Sequence, residues 1–215
     1  MEEILKTYSL LNSINVSRET FKEFEIFISM LKSKNDEINL ISRKTTKEDI
    51  IRERHIIDSA QIIEFIDLKS KIITDLGSGG GMPGIIISIM LKKVKNSPII
   101  YLYEKSYHKS KFLRKVSKDL ELNTKVIQEN IFEAQNLESG TIMARAFKPL
   151  QVVLDLVNKN FCNYKNLILF MGKNGEKTLA DAQKFWEFDF EKKKSITNEN
   201  SFLLSIKNIK KKIEK

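Results

Sequence analysis

The chain has 215 residues, 41% of them hydrophobic, enough for one domain with a full core and a small appendage. No apolar run reaches the length of a membrane span, Met1-Glu2-Glu3 does not resemble a secretion signal, and the single cysteine, Cys162, excludes an internal disulfide and a cysteine-based zinc cluster. A cytoplasmic protein without membrane contact is therefore expected, and a net charge of +9, from 37 basic and 28 acidic residues, favours a polyanionic partner, although a lysine-rich solvated surface gives the same excess.

Helical patterning opens the chain from Glu2 to Leu11. Ser17 stands as an N-cap before Phe21, Phe24, Ile28 and Leu31, whose spacing predicts a buried helical face. Ile38-Asn39-Leu40-Ile41 then ends in a basic turn, and Thr46 to Asp49 offers a capping box for a helix carrying Arg52 to Ser59. No strand pattern precedes Lys71 and no Pro-, Gly- or Ser-rich linker follows the helices. Residues 1–65 are thus expected to form a helical cap packed directly on a main domain of residues 66–215.

At Lys71 the pattern changes. Ile72, Ile73 and Thr74 read as a buried strand that stops in Asp75-Leu76-Gly77-Ser78-Gly79-Gly80-Gly81-Met82-Pro83-Gly84. The glycines let a ligand approach the backbone, and Pro83 suits the first turn of a helix continued by Ile85 to Leu91. Such a loop presents N–H groups and the positive end of a helix dipole to whatever lies above it. Gly79, Gly81 and Gly84 meet the dinucleotide pattern G-x-G-x-x-G, but Pro83 crowds its last turn. The phase from Asp75 through Gly77, Gly79 and Gly81 fits better, with a carboxylate placed to hold a cationic ligand or to order the loop. That phase resembles the first motif of Rossmann-like S-adenosylmethionine methyltransferases; a glycine-rich turn without a ligand is the alternative.

Beyond the loop, strand and helix patterns alternate, which predicts an α/β fold with a parallel sheet covered on both faces. Strands are expected near 71–75, 98–104, 124–128, 140–144, 166–171, 186–191 and 201–207, and helices over 83–94, 106–121, 149–161 and 175–184. The last two strands, joined only by the polar Glu191 to Asn200 turn, are expected to form an antiparallel hairpin at the edge of a seven-stranded, mostly parallel sheet. Lys207 to Lys215 reads as a solvated tail. Glu104 ends the second strand, where an acidic side chain accepts hydrogen bonds from both ribose hydroxyls. After the third strand, Ile131 and Phe132 offer an apolar wall and backbone groups for an adenine ring.

Together these residues resemble the bacterial RsmG (GidB) family, which methylates N7 of one guanine in 16S ribosomal RNA with S-adenosylmethionine. The matching stretches are Ile38-Asn39-Leu40, Arg54 to Ser59, Asp75 to Gly84, Glu104 to Leu113 with Lys109, and Ala144-Arg145-Ala146-Phe147, in the family's order. Two positions depart from its pattern. Met171-Gly172-Lys173 stands where the family usually has Lys-Gly, and Ser110 where it usually has a second basic residue. The resemblance implies a Rossmann-like methyltransferase fold. It also implies cofactor contacts from Gly77, Met82, Ile131, Phe132 and Arg145, which add to Asp75, Gly79 and Glu104 from the reading of the loop and strand end, and a ribosomal RNA or small-subunit precursor as partner; a monomer is expected. Arg145 is open to three roles: pairing with the cofactor carboxylate, holding an RNA phosphate, or bridging two loops.

Guanine N7 has a free lone pair at neutral pH, so no general base is needed and none is nominated. His55, His108 and Cys162 read as structural or surface residues, with His55 and Asp58 as a buried hydrogen-bonded pair. Alignment of nucleophile, methyl and sulfur supplies the catalysis. RNA contacts are expected from Arg43, Lys44, Arg52 and Arg54, and from Lys105, Lys109, Lys111, Arg114, Lys115 and Lys118. Phe147 is read either as a stacking partner for an extruded guanine or as a core residue. The rival functions are methyl transfer to another RNA or a small molecule, and RNA binding without catalysis.

Overall fold

The computed structural model describes Tyr8, Leu11 and residues 17–213, so the helix expected from Glu2 to Leu11 falls largely outside the described residues. The first helix, α1 (Arg18–Asn35), starts where Ser17 Oγ accepts the Thr20 N–H at 3.3 Å. Its inward face carries Phe21, Phe24, Phe27, Ile28 and Leu31. The capping box expected at Thr46 does not form. Thr46 Oγ1 instead donates to the Arg43 carbonyl at 3.0 Å, closing a 3₁₀ turn (Arg43–Thr45), and the next helix begins behind Lys47 without a side-chain cap.

That helical run, α2, covers residues 48–65. It opens as α-helix (Glu48–Ile51), widens into a π-helical turn (Arg52–Ile57), and tightens through Asp58–Ala60 into a 3₁₀ end (Gln61–Phe65). π-turns in otherwise α-helical segments are frequent at functional sites.

From here strands and helices alternate as the pattern predicts. They are β1 (Ile72–Leu76), α3 (Gly84–Leu91), β2 (Ile99–Tyr103), α4 (Tyr107–Asp119), β3 (Thr124–Ile127), β4 (Leu137–Ala144), α5 (Leu150–Asn160), β5 (Phe161–Met171), α6 (Gly175–Gln183), β6 (Trp186–Lys194) and β7 (Phe202–Lys211). The sheet order is β3-β2-β1-β4-β5-β7-β6. β1 to β5 run parallel, and β7 is antiparallel to both β5 and β6, so the hairpin lies at the sheet's edge as expected.

The basic end is not a free tail. β7 continues to Lys211, with Lys210 opposite Glu187 and Lys211 opposite Trp186, and the Lys212 N–H donates to the Phe185 carbonyl at 2.9 Å. Ile209 is buried on this strand, so its lysine-rich neighbours are carried by a backbone ladder and an apolar anchor that composition alone does not reveal.

Alternate strand residues feed two cores, one per sheet face. Ile73, Met143, Ile168 and Leu203 join Phe24, Phe27, Ile56 and the isoleucines of α3 in one. Ile142, Leu167, Leu169 and Leu204 join α5 and α6 in the other. The helical segment thus covers the same face as α3 and α4, tied further by Lys92 to Glu23 at 2.7 Å. The β6–β7 turn also docks on it: the Ile196 N–H donates to Gln61 Oε1 at 3.0 Å, and Thr197 Oγ1 to Asp58 Oδ1 at 2.9 Å. Among the described residues no helix is long and apolar enough to cross a membrane.

Candidate functional site

The loops after β1, β2, β3 and β4 meet at one sheet edge, where strand order reverses between β1 and β4; open α/β sheets bind their ligands at such a switch point. A cavity of about 500 Å³ lies there. Gly77, Gly79, Met82, Glu104, Ile131 and Arg145 line it, whereas Asp75 and Phe132 do not.

The floor is the glycine loop. Gly79 sits at φ +56, and a Cβ built on it would meet only the Gly77 carbonyl oxygen, at 3.7 Å, standing otherwise in the cavity. Glu104 holds this loop: one carboxylate oxygen accepts the Gly79 N–H at 2.9 Å and the other the Ser106 N–H at 2.8 Å. Ser110, where the family pattern has a base, is fully buried and donates to the Glu104 carbonyl at 2.8 Å, so no cation fits there.

Asp75 works from beneath. It is fully buried and accepts the Gly84 N–H at 3.0 Å on one oxygen, while the other has no partner. Burial pushes its carboxyl up to about 7, against the downward pull of Gly84 and Ser78, with the Glu104 charge adding to the rise. Of the two roles open to Asp75, loop ordering is the one its contacts show: it bonds the loop backbone at Gly84 and does not line the cavity.

The wall after β3 is set by Asn160, whose side-chain amide lies 3.3 Å from both the Ile131 and Phe132 carbonyls. Ile131 turns inward and is buried. Phe132 turns out, 40% exposed, and stacks on Phe147 with ring centroids 5.9 Å apart. Phe147 is half-buried against Gly77, where a Cβ would come within 2.3 Å of its ring, so it is neither wholly core nor wholly free.

Arg145 is the link to α2. Its guanidinium lies 3.2 Å from Asp58 Oδ2 and 3.1 Å from His55 Nδ1, bonds the Arg54 carbonyl, and covers the Phe170 ring at 5.7 Å. The bridging role is therefore realised. His55 and Asp58 are not bonded to each other as expected; each meets Arg145, just past the end of β4, instead. Burial, then the Arg145 and Arg54 charges, push His55 down to about 4, so it is neutral at physiological pH.

Of the expected RNA contacts, Arg43, Lys44, Arg54, Lys105, Lys111, Arg114, Lys115 and Lys118 are exposed, and Lys109 lines the cavity. Arg52 is a correction. It makes a two-pronged pair with Glu25, at 2.8 and 2.7 Å, and also reaches Glu48, so it braces α2 against α1. Sequence reasoning also missed Leu40, Ile41, Tyr103 and Lys148 on the cavity wall. Positional signals existed for Tyr103, the residue before Glu104, for Leu40, within the matching stretch Ile38 to Leu40, and for Lys148, the residue after Phe147. Among the described residues no cluster of His, Cys, Asp and Glu could hold a metal ion.

The family model for rRNA small subunit methyltransferase G matches residues 20–205. The chain belongs to this family. The family's Ribosomal RNA small subunit methyltransferase G of Pelagibacter ubique is 70% identical over 212 residues, covering 99% of this chain and all of that one. Its counterpart in Ruegeria pomeroyi is 33% identical over 91% of this chain and 94% of its own length. Solved structures add the fold. An Aquifex aeolicus SAM-dependent methyltransferase aligns with a TM-score of 0.56 at 12% identity, over 81% of this chain and 97% of that one. A mutant MtNAS in complex with S-adenosylmethionine gives 0.55 at 12% identity, over 93% and 87%. The expected family and the expected Rossmann-like methyltransferase fold both hold. The cavity of about 500 Å³ at the sheet edge falls within the size range of small-molecule and cofactor sites.

Proposed function

We propose that this protein, acting as a single chain in the cytoplasm, transfers the methyl group of S-adenosylmethionine to N7 of a guanine in small-subunit ribosomal RNA. The observation that carries the reading is the open face of Gly79 beneath a cavity of about 500 Å³, in a chain whose relatives are named as methyltransferases of small-subunit ribosomal RNA. The residues suit the group. Glu104 spends one lone pair of each oxygen on the loop and keeps others for a ribose diol, and Ile131 gives adenine an apolar wall. Gly77, Gly79 and Met82 would line the cofactor, and Arg145 would stand at its edge while anchored on Asp58.

When bound, the cofactor supplies an electrophilic methyl on a sulfonium. The protein's own part is to bring the acceptor into line with it and exclude water, an effect that contributes on the order of 7–11 kcal/mol. An N7 acceptor carries a free lone pair and has no proton to lose, so no base would be called for; a neutral His55 turned toward Arg145 agrees with that. A second cavity, about 390 Å³, lies across Phe147 and Lys148 from the first, between the ends of β4 and β5. It offers room for an extruded base with Phe147 as a stacking face.

Small-subunit RNA from cells lacking the protein, incubated with it and labelled cofactor, should take up one methyl per molecule. Chemical cleavage specific for 7-methylguanosine should map it to one site. Label on an exocyclic amine, or equal labelling of a free nucleoside, would overturn the reading. Cofactor-independent RNA binding with no transfer would leave only a binding protein.

A further inference from the structure

A groove of about 660 Å³ runs between α1 and α4, outside the cavities already described. Met30 and Phe112 floor it. Above them Tyr107 is 58% exposed, with the His108 ring edge-on at 5.5 Å. An aromatic left this open beside an apolar floor presents an unfilled stacking face.

The rim is basic. Lys34, Lys111 and Lys115 surround the groove, against one carboxylate, Glu37, which pairs with Lys34. Lys115 is held by Asp119 at 2.6 Å, whereas Lys111 has no ion pair among the described residues. Position supplies the third observation. Lys109 lines the cofactor cavity, while Tyr107, His108 and Lys111 of the same helical turn line the groove. Residues two apart lie roughly 200° round a helix, so Lys109 faces the cavity on one side of α4 while Tyr107 and Lys111 face the groove on the other, within about 5.4 Å along the axis. A strand that leaves the cavity across the N-terminus of α4 comes to the groove.

We propose that this groove is a second RNA subsite, in which Tyr107 stacks on an unpaired base flanking the target nucleotide and Lys111 meets an adjoining phosphate. The inference rests on the methyl-transfer reading above and extends it to how the substrate strand is seated. Stacking on an aromatic face tolerates any base, so the subsite sets position and affinity while sequence choice stays at the cavity. A protein ligand of the same groove would need acidic side chains around an apolar anchor; a polyanion with flat apolar rings matches the lysine rim and open tyrosine in one molecule.

The test compares Tyr107→Ala, Tyr107→Phe and Lys111→Ala in the full chain, with small-subunit RNA. Tyr107→Ala should raise KM for RNA roughly tenfold with kcat and cofactor affinity unchanged, and Tyr107→Phe should restore it. Lys111→Ala should flatten the dependence of log K on log salt by about 0.7, the share of one phosphate on a single strand, and Tyr107→Ala should not. RNA affinity of Tyr107→Ala equal to the parent, with cofactor binding intact, would overturn the subsite and leave the groove to another partner. Failure of the parent chain to methylate RNA would overturn the function instead, and the direct binding comparison would still decide the groove.

Discussion

Arg145 Nη1 lies 3.1 Å from His55 Nδ1, and since a guanidinium only donates, that ring nitrogen accepts and Nε2 carries the proton toward Thr45 Oγ1, 3.1 Å away. Protonating Nδ1 would set donor against donor in a buried place. Burial first, then Arg145 and Arg54, hold the folded imidazole at about 4 against an ordinary 6.5. The unfolded chain therefore binds this proton below about 6.5 while the folded chain refuses it until about 4. Stability falls as pH drops through that window, by at most about 3 kcal/mol. His55→Gln keeps an acceptor for Arg145 without a titrating group. Urea unfolding at pH 7 and pH 4.5 should show a smaller loss in the variant than in the parent; equal losses would remove the claim.

Asp75 acts in the opposite sense. Its folded carboxyl is raised to about 7 from 3.8, chiefly by burial, and one oxygen has no partner. The folded chain keeps this proton where the unfolded chain has lost it. The resulting stability is complete below about 3.8 and lost as pH rises through about 7, with an upper bound of about 4 kcal/mol. Asp75→Asn retains an acceptor for the Gly84 N–H at 3.0 Å but cannot ionise. Its stability relative to the parent should improve from pH 5 to pH 8, read as the change in urea midpoint. A constant difference across that range would show that Asp75 does not titrate there.

The frame of the molecule was legible because local pattern and final burial agree. β1 to β7 fall where β-branched and apolar runs predict them, and the glycine loop reports its own geometry through residues that tolerate positive φ. What sequence could not report are contacts made at a distance. Arg145 reaches across 90 positions to His55, and nothing in the spacing of Arg54 to Ser59 foretells a π-turn. Asn160, read only as the end of a helix, clamps the wall after β3. The basic C-terminal run looked solvated because lysine is usually outside; Ile209 and the pairing with β6 hold it in the sheet.

Two glycines of the loop should fail in different ways. A Cβ at Gly79 meets open cavity, so Gly79→Asp costs the 1–2 kcal/mol of a left-handed residue yet leaves the fold standing. Its carboxylate then crowds the cavity beside Glu104, and cofactor affinity should fall at least tenfold by isothermal titration. At Gly84 a Cβ would lie 2.3 Å from Leu102 Cδ2 and 2.5 Å from Asp75 Oδ2, in the packed interior. Gly84→Ala should lose stability, by roughly 1–3 kcal/mol, before any question of ligand arises. A Gly79→Asp protein that binds cofactor like the parent would show that the ligand does not lie on this loop.

Electrostatic seating of RNA has a signature separate from stacking. Lys109 lines the cavity and Arg114 lies further along α4, its guanidinium 3.1 Å from Gln128, so neither is neutralised by a carboxylate among the described residues. If both meet phosphates, Lys109→Ala with Arg114→Ala releases two fewer counterions on binding. The slope of log K against log salt should then flatten by about 1.4 on a single strand. Lys165→Ala removes one charge from the opposite edge of the sheet, where Lys165 pairs with Asp67 at 3.2 Å, and serves as the control. Its slope should match the parent's. An equal flattening by the control would mean that net charge alone, and not a located track along α4, governs association.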